Sequence, residues 1–235
     1  MNKLKIATLL LLALLTGCQL YRPHKQPANY YFMNPHKDIA SVGRTALLEL
    51  TNNSDYPKIS ENVTQALFQS MQKKQLFGLK VIHEENPAWQ NLQLGTETEY
   101  TIEKLASIQK TLNCDAILKG TITGYEPFPN MHIGLRLELI DLNDGQLLWA
   151  LEQIWDTSDK NVKDRIKKYN SQHILPRSAT LEEKLGTVSS KMFIKFVAYE
   201  TADTLRPDKS SSFKPVFYWP KIRLSKKILE NPKNN

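Results

Sequence analysis

The sequence predicts an α/β domain: a single mixed sheet in β-α-β-α-β-β-β order, with helices packed on it and a long C-terminal amphipathic helix. Three observations carry this expectation. Between Arg44 and Leu112, short apolar runs alternate with stretches of helical period, the pattern of parallel strands joined by helical crossovers. From Met131 to Leu139, apolar and polar residues alternate strictly, as in a half-buried antiparallel strand. Asn143-Asp144-Gly145 then offers a tight turn of the kind that closes a hairpin.

Taken in order, the chain opens on a targeting segment, residues 1–17. Lys3 and Lys5 precede an apolar run of ten residues, Ile6 to Leu15. A membrane-spanning helix needs about 20 apolar residues, so this run is too short to span and has the form of a secretory signal. It ends in Leu15-Thr16-Gly17-Cys18. Small residues at Thr16 and Gly17 fit an extended chain into a peptidase, and a cysteine next to them supplies a thiol for lipidation. The stretch reads as a lipobox, with cleavage between Gly17 and Cys18 and lipid, palmitate included, on Cys18. Gln19 follows where inner-membrane retention would favour Asp, so by likeness to sorted bacterial lipoproteins the outer membrane is expected, with the domain facing the periplasm.

Residues 18–42 read as the lipidated N-terminus and a flexible tether, marked by Pro23, Pro27 and Pro35. Treated as a coil, 24 residues would average about 27 Å end to end. The aromatic triplet Tyr30-Tyr31-Phe32 either packs back on the domain or sits at the lipid interface.

The ordered domain is expected over residues 43–156. Arg44 to Leu50 is a strand ending in the turn formers Asn52, Asn53 and Ser54. A helix follows with Pro57 in its first turn and Ile59, Val63, Ala66, Leu67 and Met71 on one face; Lys73, Lys74, Gln75 and then Gly78 form its stop. Leu79 to Ile82 is a second strand. Residues 83–100 are a polar connection. Thr101 begins a second helix with Ile102, Leu105, Ile108 and Leu112 on one side, ended by Asn113 in the left-handed conformation. Ala116–Tyr125, Met131–Leu139 and Leu147–Trp155 are the last three strands, with Trp149 and Trp155 as large core candidates.

Two stretches here resemble a known family. Asn113-Cys114-Asp115-Ala116-Ile117-Leu118-Lys119-Gly120-Thr121-Ile122-Thr123 is similar to the end of the second helix and the third strand in a family of envelope proteins. That family includes the curli-secretion lipoprotein CsgG, the penicillin-binding-protein activator LpoB and the N-terminal domain of TolB. Leu139-Ile140-Asp141-Leu142-Asn143-Asp144-Gly145-Gln146-Leu147-Leu148-Trp149 is similar to their last hairpin. The resemblance covers about Gly43 to Asp156 and implies the fold more than any one activity.

A helical extension is expected over residues 157–206. Val162, Ile166 and Tyr169 mark a short helix, and Ser171 to Ser178 a loop. Thr180 and Glu183 then form a capping box ahead of an apolar stripe at Leu181, Leu185, Val188, Met192, Phe196 and Tyr199. The stripe either packs on the open face of the sheet or is a partner or homo-oligomer surface. Residues 207–235 read as a basic, disordered tail with clustered aromatics.

Charge narrows the function. The formal net charge is +7. Removing Lys3 and Lys5 leaves +5, and the stretch from Arg206 onward, with eight basic and two acidic residues, carries +6. The rest of the mature chain is near −1, a near-neutral domain with a basic tail, and with export this argues against a nucleic-acid role. Once Cys18 takes lipid, Cys114 has no disulfide mate and reads as a small buried hydrophobe.

Chemistry is sparse. The five histidines include no pair at the i, i+4 spacing of a helical zinc site, and there is no Gly-rich phosphate loop or Gly-x-Ser-x-Gly, so no metal or cofactor is expected. His132, Arg136 and Glu138 share one strand face and are the one cluster with catalytic residue types; such a face is more commonly solvated. The leading expectation is therefore a non-enzymatic envelope lipoprotein, held by its Cys18 lipid and binding a periplasmic or outer-membrane protein in assembly, secretion or cell-wall enzyme regulation. The rivals are a channel subunit like CsgG, for which the connectors are too short or too polar to supply membrane strands, and an envelope hydrolase with a non-local active site.

Overall fold

A computed structural model of the chain describes residues 31–94, 100–173 and 189–205. They form one mixed seven-stranded sheet with helices on both faces. The strands are β1 (Tyr31–Met33), β2 (Arg44–Leu48), β3 (Thr51–Asn52), β4 (Gly78–Ile82), β5 (Ala116–Glu126), β6 (His132–Asp141) and β7 (Leu147–Asp156). The helices are α1 (Ile59–Gln72), α2 (Pro87–Asn91), α3 (Ile102–Leu112), α4 (Lys160–His173) and α5 (Ser190–Thr204). The sheet runs β1-β7-β6-β5-β2-β4, with β3 also on β5. Strands β4, β2 and β5 are parallel and β5, β6, β7 and β1 antiparallel. The helical connections thus fall where parallel pairing needs crossovers and the tight turns where it does not.

The sheet divides the core. On one face Leu47, Leu118, Leu135, Leu137, Leu139, Trp149 and Trp155 meet Val63, Leu67 and Met71 of α1, Val162 and Ile166 of α4, and Phe193 and Phe196 of α5. On the other, Ala46, Leu48 and Ile117 meet Leu105, Ile108 and Leu112 of α3, with Leu92, Leu94 and Tyr100 beside them. Cys114 belongs to this second cluster, 2% exposed, and burial raises its thiol pKa.

The two sequence stretches that carry the family resemblance are fasteners. The Asp115 carboxylate accepts the Arg44 N–H at 2.7 Å, and Asn113 Oδ1 accepts from Arg44 Nη2 at 2.7 Å, so the start of β2 is tied to the start of β5. Asn113 itself ends α3 with φ 47°. In the last hairpin Asp141 Oδ1 accepts from both the backbone and the side chain of Asn143 at 2.9 Å, and Gly145 takes φ 72°, a conformation that suits a residue without Cβ.

Several elements differ from the sequence expectation. The tether expected to reach Val42 is shorter: β1 pairs with β7, setting Tyr31 opposite Leu151 and Met33 opposite Trp149. Beyond it Lys37 Nζ bridges Asp141 and Asp144, each at 2.5 Å. The polar connection holds a helix, α2, whose N-cap Asn86 accepts the Ala88 N–H and whose first residue is Pro87, both start signals. Helix α1 ends at Gln72 and the chain turns through Gln75, φ 52°, before Gly78 opens β4. Helix α4 runs to His173, into residues expected to be loop. The C-terminal helix expected to follow Thr180 as one piece begins instead at Ser190: Ser189 is extended (φ −74°, ψ 152°) and its hydroxyl caps α5; the expected capping box at Thr180 and Glu183 lies outside the described residues.

Strand β7 holds α5 by two indole N–H groups. Trp149 Nε1 donates to Thr204 Oγ1 at 3.2 Å and Trp155 Nε1 to Glu200 Oε2 at 2.7 Å. Arg165 of α4 grips the same carboxylate, Nε to Oε1 at 2.7 Å and Nη2 to Oε2 at 3.2 Å. Burial pushes the Glu200 pKa up, and the Arg165 and Trp155 hydrogen bonds oppose this only in part. A raised folded pKa means that the carboxyl's contribution to stability is greatest in acid and declines as pH rises through that value.

Arg165→Ala is expected to cost about 3–5 kcal/mol at neutral pH, because it leaves a buried carboxylate unpaired. The loss should shrink in acid, where Glu200 protonates; urea unfolding at two pH values checks this. At Asp141 the sign is opposite. Burial pushes its carboxyl up, but hydrogen bonds from Lys37 and Asn143 outweigh this and hold it below the usual range. Asp141→Asn is therefore expected to destabilise the fold at neutral pH, and the difference should fade as pH falls through the lowered value.

Candidate docking groove

The residues singled out in the sequence fall in three places. Gly17, Cys18, Leu181, Leu185 and Val188 lie outside the described residues. Phe196 is in the core, 1% exposed, while Met192 and Tyr199 are half-buried. As a partner surface the stripe is therefore corrected at Phe196, because α5 turns that side chain onto the sheet together with Phe193 and Val197.

His132, Arg136 and Glu138 do share the face of β6 away from the α5 core. The structure does not bring them to one point. Glu138 is six positions along the strand from His132, about 20 Å. Arg136 stands opposite Glu152 on β7 and donates to it at 2.7 Å; Glu138 stands opposite Lys119 on β5 at 3.6 Å. His132 stands opposite Asp156, whose carboxyl is lowered chiefly by hydrogen bonds from Ser158, with His132 and Lys163 adding smaller effects. This is a ladder of cross-strand ion pairs: Arg136 and Glu152 are exposed, with Ile154 exposed beside them, while Lys119 and Glu138 are half-buried.

The residues that do converge lie on the helical layer. The C-terminal halves of α1 and α4 flank α5 around a groove of about 410 Å³, lined by Ala66, Gln69, Ser70, Lys73, Lys74, Tyr169, His173, Lys195 and Tyr199. Tyr169 and His173, four residues apart and so on one helix face, stack at 4.8 Å with 20° between their planes. Tyr199 completes the cluster, 5.0 Å from Tyr169 and 4.9 Å from His173, and Phe196 supports Tyr169 from below at 5.8 Å.

Lysines rim these rings. Lys74 Nζ lies 5.8 Å from the centre of the Tyr199 ring and pairs with Asp203 at 2.5 Å. Lys73 and Lys195 are exposed and have no acidic partner among the described residues. Burial raises the phenol pKa of Tyr199, with Asp203 and Glu200 adding to it, and burial followed by Tyr199 raises that of Tyr169. Both hydroxyls therefore remain protonated donors at neutral pH. Among the described residues no group of three or more His, Cys, Asp or Glu is placed to hold a metal ion, and no helix is long and apolar enough to cross a membrane. What the groove offers chemically is aromatic surface, hydroxyl donors and positive charge.

In the sequence Lys73 and Lys74 read as a helix stop and His173 as loop. The available signal was the pair Tyr169 and His173 at helical spacing; their meeting with Tyr199 is tertiary.

The fold and this groove describe an α/β domain of one mixed sheet whose helical layer carries an aromatic, lysine-rimmed groove. No protein-family model matches the chain, and no curated protein matches it. Solved structures do. The lipoprotein GNA1162 of Neisseria meningitidis is 13% identical, over 55% of this chain and 96% of its own, with a TM-score of 0.41. The C-terminal domain of LpoB from Escherichia coli is 17% identical, over 48% of this chain and 82% of its own, with a TM-score of 0.34. A PelC dodecamer from Paraburkholderia phytofirmans is 11% identical, over 57% and 85%, with a TM-score of 0.39. The chain thus resembles LpoB, one of the proteins in the expected likeness, and the lipoprotein GNA1162.

Alanine substitution at Arg136 is expected to change stability by less than about 1 kcal/mol, as for a solvent-screened pair, and at Glu138, whose partner Lys119 is half-buried with it, by more than at Arg136. Chemical unfolding of the two variants measures this, and an equal or larger loss at Arg136 would contradict the difference in exposure.

Proposed function

We propose that this chain is a lipid-anchored protein of the bacterial cell envelope whose α/β domain binds a protein partner and catalyses no reaction. The observation that carries this is Leu15-Thr16-Gly17-Cys18 behind a ten-residue apolar run. In this reading residues 1–17 are the signal peptide and the lipid on Cys18 fixes the mature chain to the membrane. Gln19 favours the outer membrane, with the domain in the periplasm. Acyl chains contribute about 0.8 kcal/mol per buried methylene, and more than one chain makes the anchor stable.

Two features of the domain support binding over catalysis. The strand face with catalytic residue types is occupied by ion pairs, Arg136 with Glu152 and Glu138 with Lys119. The cleft on the helical layer holds stacked rings and unneutralised lysines, groups that recognise a surface. Confinement beside a membrane then raises the domain's effective concentration for a neighbour on the same surface. The partner would act in envelope assembly, secretion or regulation of a cell-wall enzyme.

Cys18→Ala is expected to move the protein from the membrane to the soluble fraction. Persistence in membranes washed at high salt would overturn the anchor. In-cell photocrosslinking from exposed positions on α4 and α5, read by mass spectrometry, is expected to return one recurrent envelope protein; crosslinks to this chain alone would replace the partner with a second copy.

A further inference from the structure

Charge is distributed unevenly across the described residues. Residues 58–74, 160–173 and 190–204, which are α1 with the flanking Lys58, Lys73 and Lys74 together with α4 and α5, contain ten basic and four acidic side chains, a net +6. The other described residues contain seven basic and fourteen acidic, a net −7. Two of the four acids in the layer are already committed: Glu200 to Arg165 inside the fold and Asp203 to Lys74 at the rim of the groove. The outer side of α4 adds Lys160, Lys163, Lys167 and Lys168, all exposed. A near-neutral domain thus presents one strongly positive layer, and the groove lies within it.

We propose that this layer is a docking surface for an acidic segment of a partner protein. Carboxylates of that segment pair with Lys73 and Lys195, and one of its apolar or aromatic side chains enters the groove over Tyr169 and Tyr199. The inference deepens the protein-binding reading and rests on it. Charge complementarity selects the occupant: a field spread over three helices matches a polyanionic chain better than a single anion. The shape selects a polypeptide over a bilayer, since the rings sit in a concave groove of about 410 Å³ between helices that a flat headgroup surface does not fill. Aromatic anchors ringed by polar and charged groups are also where protein interfaces concentrate their binding energy.

The test titrates the full mature chain, in detergent, with a fluorescent 12-residue Glu-rich peptide bearing one central Phe, a Lys-rich counterpart, anionic vesicles and a soluble peptidoglycan fragment. The expected result is binding of the acidic peptide alone, weakened at least tenfold by Lys73→Glu with Lys195→Glu and weakened again by raised salt. Both side chains are exposed, so the double variant should keep its urea midpoint, and Lys73→Gln with Lys195→Gln should fall between. An unchanged affinity in the double variant overturns the proposal. So does an equal loss from Lys160→Glu with Lys163→Glu, which would place the effect in the general field, or a preference for vesicles or the peptidoglycan fragment. If the double variant still crosslinks to an envelope partner in cells, the groove assignment falls and the protein-binding reading stands; if wild type crosslinks to no partner, that reading fails and takes this inference with it.

Discussion

The fold turns on the grip of β7 on α5. Trp149 and Trp155 supply much of the large apolar volume on their face of the sheet, and each brings an indole N–H that needs a partner when buried. Thr204 and Glu200 of α5 provide the acceptors. One of these is a carboxylate, 3% exposed, and a buried carboxylate is costly unless it is paired. That requirement brings Arg165, and with it α4, against α5. Once α4 is there, Tyr169 and His173 stand beside Tyr199, and the groove follows. A polar necessity inside the core thus leads to the shape of the surface.

The sheet's two faces are finished differently. One is roofed along its length by α1, α4 and α5. The other is roofed by α3 and the segment around α2 over the parallel strands, while the antiparallel strands carry Arg136–Glu152 and Lys119–Glu138 pairs between neighbours. The exposed Arg136–Glu152 pair contributes little, and the half-buried Lys119–Glu138 pair keeps both of its charges matched. The residues with catalytic side chains are there for the sheet. Positive charge meanwhile gathers on the roofed side, where the cleft is.

Sequence period was most informative where one face of one element is buried. The alternation of β6, the α1 stripe from Ile59 to Met71, the buried Trp149 and Trp155, and the left-handed Asn113 all follow from local pattern and stand in the structure. Local pattern fails for β1, where Tyr31–Met33 is a strand only because β7 offers it an edge, and for α2, whose five residues are too few to show a period beside the cap at Asn86 and Pro87. It also fails for the site. The apolar stripe identified Tyr199 but included Phe196, which a helix packed on most of its surface keeps inside. Lys73, Tyr169 and Lys195 come from three elements, and their convergence depends on long-range packing that no single window contains.

Strand β1 also sets the route by which force enters the domain. Tyr31 is thirteen positions from Cys18, at most about 47 Å of fully extended chain, where attachment at Gly43 would have allowed nearly twice that. In the reading proposed above, with lipid on Cys18 and a partner bound to the domain, tension between the two would arrive at Tyr31 and run along β1. A pull directed along β1 would load its hydrogen bonds to β7 sideways and together, whereas a pull across the strand would unzip them singly. Behind that ladder the Lys37 bridge to Asp141 and Asp144 fastens the next stretch of chain to the last hairpin, a second catch before the load reaches β2 and the core.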